Sequence, residues 1–245
     1  MNFFDILIIL LITITALPAV ILLYSRNQRR HSWEHKNKNL SLILALILLL
    51  GTCIVTYGSF IEPNLVVTNY QEVDLENIEP PIKIAVISDF QVGYFKKEKY
   101  VEKVANRILN LNPDLVFIVG DVVDNAVYVE GEAKYLSPMK KVADIIPTYA
   151  IHGNHEYGIG GGKSILDPNY RTSNVSAETK EIVESFGIKY LVNDLEKIAV
   201  EDEELYLFGG DSIWAGKLDY SALNNRTEDL ATIALIHNPL ATFQA

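Results

Sequence analysis

"PTYAIHGNHE", residues 147–156, is a short apolar run that breaks at a glycine and at once presents Asn154, His155 and Glu156. A β-branched and aromatic run of this length, bounded by Pro147 and Gly153, reads as a buried strand. Three consecutive polar side chains directly after it are hard to satisfy as core. Working outward, the same arrangement recurs. "DLVFIVG" (114–120) is strand-like and runs into "GDVVD" (120–124); "IKIAVIS" (82–88) runs into "SDFQ" (88–91); Ala231–Ile236 runs into "IHNP" (236–239). Between them, Val101, Val104, Ile108 and Leu111 sit at helical spacing within 97–111, and residues 132–145 are predicted to contain a second helix around Met139, Val142 and Ile145. A third is predicted from Ala177 to Phe186, opened by Ser176, with further short strands at Lys189–Leu191, Lys197–Val200 and Glu204–Phe208. Strands alternating with helices predict an α/β domain whose early strands run parallel.

In open α/β sheets, binding groups gather beyond the carboxyl ends of the strands. Those ends offer Asp89, Gln91, Asp121, Asp124, Asn154, His155 and His237. Oxygen and imidazole donors together suit Mn, Fe or Zn in a mixed site, and Cys53, the one cysteine, lies in an apolar run far from them. A carboxylate has two oxygens, so Asp121 can bridge two cations, which together can clamp a phosphoryl group and activate water. Taken singly, a Gly-Asp turn or an Asp after a strand is an ordinary turn or helix cap. The ordered set is what carries the chemistry. The glycine-rich Gly158–Gly162 lacks the spaced lysine of a P-loop and reads as a connector.

The order Asp-x-Gln, "GDVVD", "GNHE", "HNP" resembles the calcineurin-like metallophosphoesterase superfamily, especially its membrane-associated bacterial members, over residues 82–245. The resemblance implies a β-sandwich flanked by helices with two divalent metals at the strand ends. It implies Asp89 as a ligand of the first metal, Asp121 as the bridge, and Asn154 and His237 as ligands of the second. His155 is then the histidine beside the phosphoryl oxygen, and Asp124 a carboxylate that orients it. The chain departs from the pattern in two places. Gln91 stands where the family has a histidine, so the first metal is expected to bind through a weaker amide oxygen. The family also continues past "HNP" to a Gly-His-x-His turn with one ligand for each metal, whereas this sequence ends eight residues after His237. The expectation is a fragment of a longer reading frame with an incomplete domain, in which the isolated 245 residues have little activity. His31, His35 and His152 cannot stand in, the first two lying in a membrane hairpin and the third inside a strand.

Hydrophobic content of 49% and charged content of 21% exclude wholesale disorder. Residues 1–61 carry net +3, which leaves −13 on the remainder of a chain whose total is −10. An acidic domain disfavours a nucleic-acid partner. Ile6–Ser25 and Asn39–Ile61 hold no charged residue, and each is long enough to cross a hydrocarbon core of about 30 Å. All five basic residues of the first 61 fall in the joining "RNQRRHSWEHKNK", which predicts a cytoplasmic hairpin and an extracytoplasmic C-terminal domain. Trp33 and Tyr57 are candidate interfacial anchors, and residues 62–81, with Pro63 and the Pro80-Pro81 pair, read as a linker. The expected protein is thus a multi-pass, membrane-anchored metallophosphoesterase acting on phosphomono- or diesters, lipid-linked ones included. The competing readings are a degenerate, non-catalytic binding protein of the same fold and a lipid-linked pyrophosphatase.

Overall fold

The apolar segments between the charged ones become the walls of two sheets. A computed structural model describes residues 3–75, 78, 79, 81–125, 131–201, 203–227 and 229–243. Pro80 of the linker reading lies outside them. The chain divides into two compact units, Met1–Thr68 and Asn69–Ala245.

The first unit is a helical hairpin. Helix α1 (Phe3–Gln28) is joined through the four-residue α2 (Trp33–Lys36) to α3 (Lys38–Thr56), which continues in a wider π turn over Tyr57–Ile61. Two helices here are long and apolar enough to cross a membrane. They pack through small and polar side chains. Ala19 and Ala45 are fully buried, and the Thr52 hydroxyl donates to Thr15 Oγ1 at 2.9 Å. Ile9, Leu10, Ile14, Ile47 and Leu50 point outward. This pattern inverts that of a water-soluble helix pair and is the one bilayers favour, since lipid gives apolar side chains no reason to seek the interface. Ser32 caps α2 by accepting from His35 N, while His35 Nδ1 meets the Arg26 carbonyl at 2.9 Å.

In the second unit, β1 (Ile84–Ile87), β2 (Leu115–Val119), β3 (Thr148–Ile151) and β4 (Lys189–Tyr190) form a wholly parallel sheet in sequence order. A three-stranded sheet follows, in which β5 (Asp194–Val200) is antiparallel to β6 (Glu203–Gly209), and β6 is parallel to β7 (Thr232–Leu235). Side chains alternate across a strand, so Leu115, Phe117 and Ile151 of the first sheet meet Leu205, Leu207 and Leu235 of the second in one apolar core. Val116, Ile118 and Ala150 are also buried and belong to the opposite, helix-covered face. Helix α4 (Glu98–Leu111) buries Val101, Val104, Ala105 and Ile108, one stripe at helical period. It ends at Asn112 in the left-handed region (φ 48°), followed by Pro113, which cannot extend a helix. Sandwich and flanking helices agree with the expected fold class.

Two helix boundaries differ from expectation. Over 132–145, only α5 (Lys140–Ala143) is α-helical, preceded by a 3₁₀ stretch Glu132–Met139. Pro138 removes a donor there and prevents a regular α-helix. The third helix, α7, covers Ser176–Glu184, and Ser176 does not cap it. Its N–H and hydroxyl both donate to Asn174 Oδ1, so the chain turn belongs to the asparagine.

Candidate metal centre

The loops after β1, β2 and β3 are stitched together by backbone. Asp89 N donates to Gly120 O (3.2 Å), Gln91 N to Asp121 O (3.0 Å) and Val92 N to Val122 O (2.8 Å). To hold that path, Asp89, Gln91, Asp121 and Asn125 all adopt positive φ (57°, 44°, 50° and 46°). Non-glycine residues rarely occupy this region, and they persist there only where the surroundings over-determine them. The surroundings here are centred on Glu156, which is fully buried. Its Oε1 accepts from Val122 N at 2.6 Å and its Oε2 from Gly153 N at 2.8 Å, binding the ends of β2 and β3 to each other. Burial, and then the charge of Asp121, push the Glu156 carboxyl above its usual range.

Within this frame, ligand atoms of Asp89, Asp121 and His237 lie within 4.8 Å of one another. His237 Nδ1 donates to the Val119 carbonyl at 2.8 Å, which leaves Nε2 facing Asp121 Oδ2 at 3.3 Å. A ring fixed through one nitrogen and free at the other is the form in which histidine ligates a metal. Asp121 Oδ1 accepts from the His155 backbone N–H at 2.9 Å, and His155 Nε2 stands 3.8 Å from Asp121 Oδ2. Asn154 is buried; its Nδ2 donates to the Ile159 carbonyl and its Oδ1 accepts from Asn238 Nδ2 at 3.2 Å. Asn238 Oδ1 in turn is buried with no partner. Gln91 lies beside Asp89, with Nε2 3.4 Å from Asp89 Oδ1. The donor chemistry, carboxylates with an imidazole and neighbouring amides, fits a divalent cation.

Asp124 meets His155 through an unexpected atom. His155 Nδ1 contacts the Asp124 main-chain carbonyl, so ring orientation is set by the backbone and not by the carboxylate. The Asp124 side chain instead lines a cleft of about 390 Å³ together with His155, Gly160, Lys163, Tyr170 and Thr172. The glycine-rich segment is therefore more than a connector: Gly158, Gly160 and Gly161 wall the cavity next to His155. His152 lies just past β3, not inside it. It is buried, its Nδ1 is 3.0 Å from the Tyr190 hydroxyl, and burial with the nearby Lys180 lowers its pKa to about 3, so it stays neutral within the core.

Three contributors escaped the sequence reading. Glu156 stood in the quoted motif without a role. Asn125 donates through Nδ2 to both the His155 and Ser173 carbonyls, at 2.8 and 2.7 Å. Asp211 follows β6 in a Gly-Gly-Asp that repeats the Gly-Asp signal of β2, and it accepts from the Tyr157 hydroxyl at 2.8 Å.

Burial alone would lower the His237 pKa, but the Asp121 carboxylate, the Val119 carbonyl and Asp89 outweigh it and raise it to about 9. Burial likewise opposes ionisation of Asp121, and the two histidines overcome it and lower its pKa. His237 thus gains a folded pKa above its ordinary 6.5, so its stabilisation of the metal-free protein is complete below pH 6.5 and is lost as pH rises through about 9. Thermal unfolding of the full chain in chelator should show a midpoint that falls between pH 6.5 and 9, and His237→Ala should flatten that slope. An unchanged slope in the variant would refute the pairing.

A model of the calcineurin-like phosphoesterase family matches residues 82–244. A bovine transmembrane protein with metallophosphoesterase domain is 28% identical over 229 residues, covering 86% of this chain and 48% of the relative. An uncharacterized metallophosphoesterase of Helicobacter pylori is 29% identical, covering 67% of the chain and 40% of its own length. Escherichia coli phosphodiesterase YaeI is 27% identical over 161 residues, covering 65% and 53%. The chain spans about half the length of these relatives.

Proposed function

As this chain belongs to the calcineurin-like phosphoesterase family, we propose that it is a membrane-anchored phosphoesterase whose domain from residue 82 hydrolyses phosphomono- or diesters, lipid-linked esters included. The observation that carries this reading is the convergence of Asp89, Asp121 and His237 beside a histidine that opens onto a cleft. Two divalent cations, Mn, Fe or Zn, would neutralise charge on the phosphoryl oxygens and acidify a water. Asp89 with Gln91 would hold one of them, Asn154 with His237 the other, and Asp121 would share both. With Nδ1 held by the Val119 carbonyl, His237 would ligate through Nε2.

His155 has a separate task. With Nδ1 against the Asp124 carbonyl, its Nε2 is the atom that can give a proton to the departing ester oxygen. The cleft beyond it receives the leaving group. Asp124 acts on the reaction through its carbonyl, as a positioning residue. The outward-facing apolar side chains of α1 and α3, and the transmembrane name of the bovine relative, support the anchor. The basic hairpin supports an extracytoplasmic domain in a multi-pass cell-membrane protein.

His155→Ala in the full chain, purified in detergent and supplied with Mn, should lower kcat on bis(p-nitrophenyl) phosphate about a hundredfold. Bound metal, measured by elemental analysis, should stay unchanged. Undiminished turnover would remove the catalytic role.

A further inference from the structure

Seven large hydrophobic side chains are exposed among the described residues from 82 onward: Val86, Tyr94, Phe95, Ile145, Leu166, Tyr170 and Leu240. Five of them come within four residues after a candidate ligand or lie within four residues of one that lines the cleft. Tyr94 and Phe95 follow Gln91, in a turn whose Gly93 would touch the Asp124 side chain if it bore a Cβ. Leu166 and Tyr170 belong to the excursion after β3 that walls the cleft, and Leu240 comes three residues after His237. Leu166 is 88% exposed, which on a helix of only four residues (α6, Lys163–Leu166) leaves it almost without protein contact.

Charge sorts the same way. The domain is strongly acidic, yet this rim reads Tyr94-Phe95-Lys96-Lys97 on one loop and Lys163 with Tyr170 on the other. The Lys163 ammonium lies 5.2 Å from the Tyr170 ring and the Lys96 ammonium 5.2 Å from Tyr100. Aromatic and aliphatic tips mixed with lysines are the composition that settles at a headgroup boundary, where rings bury and ammonium groups meet anionic lipid.

We infer that this rim seats on the anionic surface of the bilayer that holds the chain's own spans, so that the site meets phosphoesters at the headgroup level. The occupant follows from charge complementarity and from the leash. Residues 62–81 can reach about 65 Å when extended, whereas a domain of this size is about 40 Å across, so the leash lets any face of the domain come to the surface. The rim then selects which face stays. The substrate consequence rests on the phosphoesterase reading above; the docking itself does not.

The test uses the full chain with Cys53→Ser, labelled with an environment-sensitive fluorophore at Phe95→Cys, Leu166→Cys or Ile145→Cys. It is reconstituted in phosphatidylcholine vesicles with or without 30 mol% phosphatidylglycerol as anionic lipid (about one lipid in three, enough for a surface potential). Lipids spin-labelled at the headgroup should quench the Phe95 and Leu166 labels several-fold more than the Ile145 label, and more strongly with phosphatidylglycerol present. Equal quenching at the three positions, or none at either rim position, would overturn the proposal. Rim labels shielded from water equally in detergent and in vesicles would assign the patch to a protein contact and also overturn it. Quenching at the rim in a protein that hydrolyses no ester would uphold the docking and refute the phosphoesterase reading, so the two fail separately.

Discussion

Asp121→Asn should reduce turnover of bis(p-nitrophenyl) phosphate by at least about a thousandfold, the equivalent of roughly 4 kcal/mol of transition-state stabilisation. The substitution keeps the size of the side chain and one oxygen, so the fold has little reason to change. What it removes is the negative charge on which His237 and His155 converge, at 3.3 and 3.8 Å from Oδ2. In the proposed site that charge is shared between two cations, and a neutral amide offers a single oxygen in its place. Bound metal should therefore fall together with turnover, which separates this variant from His155→Ala. An Asp121→Asn protein that retained both would exclude Asp121 as the shared ligand.

Gly153→Ala should come within about tenfold of that loss although it touches no charge. A Cβ on residue 153 would sit 2.1 Å from Asp121 Oδ1 and 2.4 Å from Asp121 N, well inside any permitted contact. Neither neighbour is the free end of a flexible chain, so the carboxylate and its loop must move. Overpacking of this kind costs about 1–3 kcal/mol of stability, and the displacement falls on the residue proposed to share the two cations. Gly160→Ala is the control, because nothing lies within 4 Å of its Cβ position. It should leave the unfolding midpoint and metal content unaltered. If Gly153→Ala behaved like Gly160→Ala, the close approach of β3's end to Asp121 would be disproved.

How far this could be read from residues alone depended on whether a feature was local. The strands at 84–87, 115–119 and 148–151 were legible because short apolar, β-branched runs that break at polar or glycine residues need no tertiary information. The convergence of the Asp89, Asp121 and His237 segments was legible only through the ordered motifs, since spacing does not specify which strand ends adjoin. Glu156 was not legible as a staple. A buried carboxylate that accepts only from main-chain amides leaves no complementary side chain elsewhere in the sequence to betray it. The same reasoning explains Asp124, whose acidic side chain drew attention while its carbonyl, common to every residue, makes the contact with His155. The helix within 132–145 was legible but its length was not, because apolar spacing persists through Pro138, where backbone chemistry leaves a 3₁₀ stretch before Lys140.

The excursion after β3 closes on itself at its base. Thr172 N donates to Gly158 O at 3.0 Å and Val175 N to Glu156 O at 2.8 Å, so the chain leaves and rejoins the site through one narrow neck. Beyond Ile159, whose carbonyl accepts from Asn154 Nδ2, residues 160–171 can lengthen, shorten or change composition without tugging on Asn154 or His155. In the proposed enzyme, exchanging this single appendage would change what is cleaved while leaving the residues proposed to hold the cations in place, much as one handle accepts many blades.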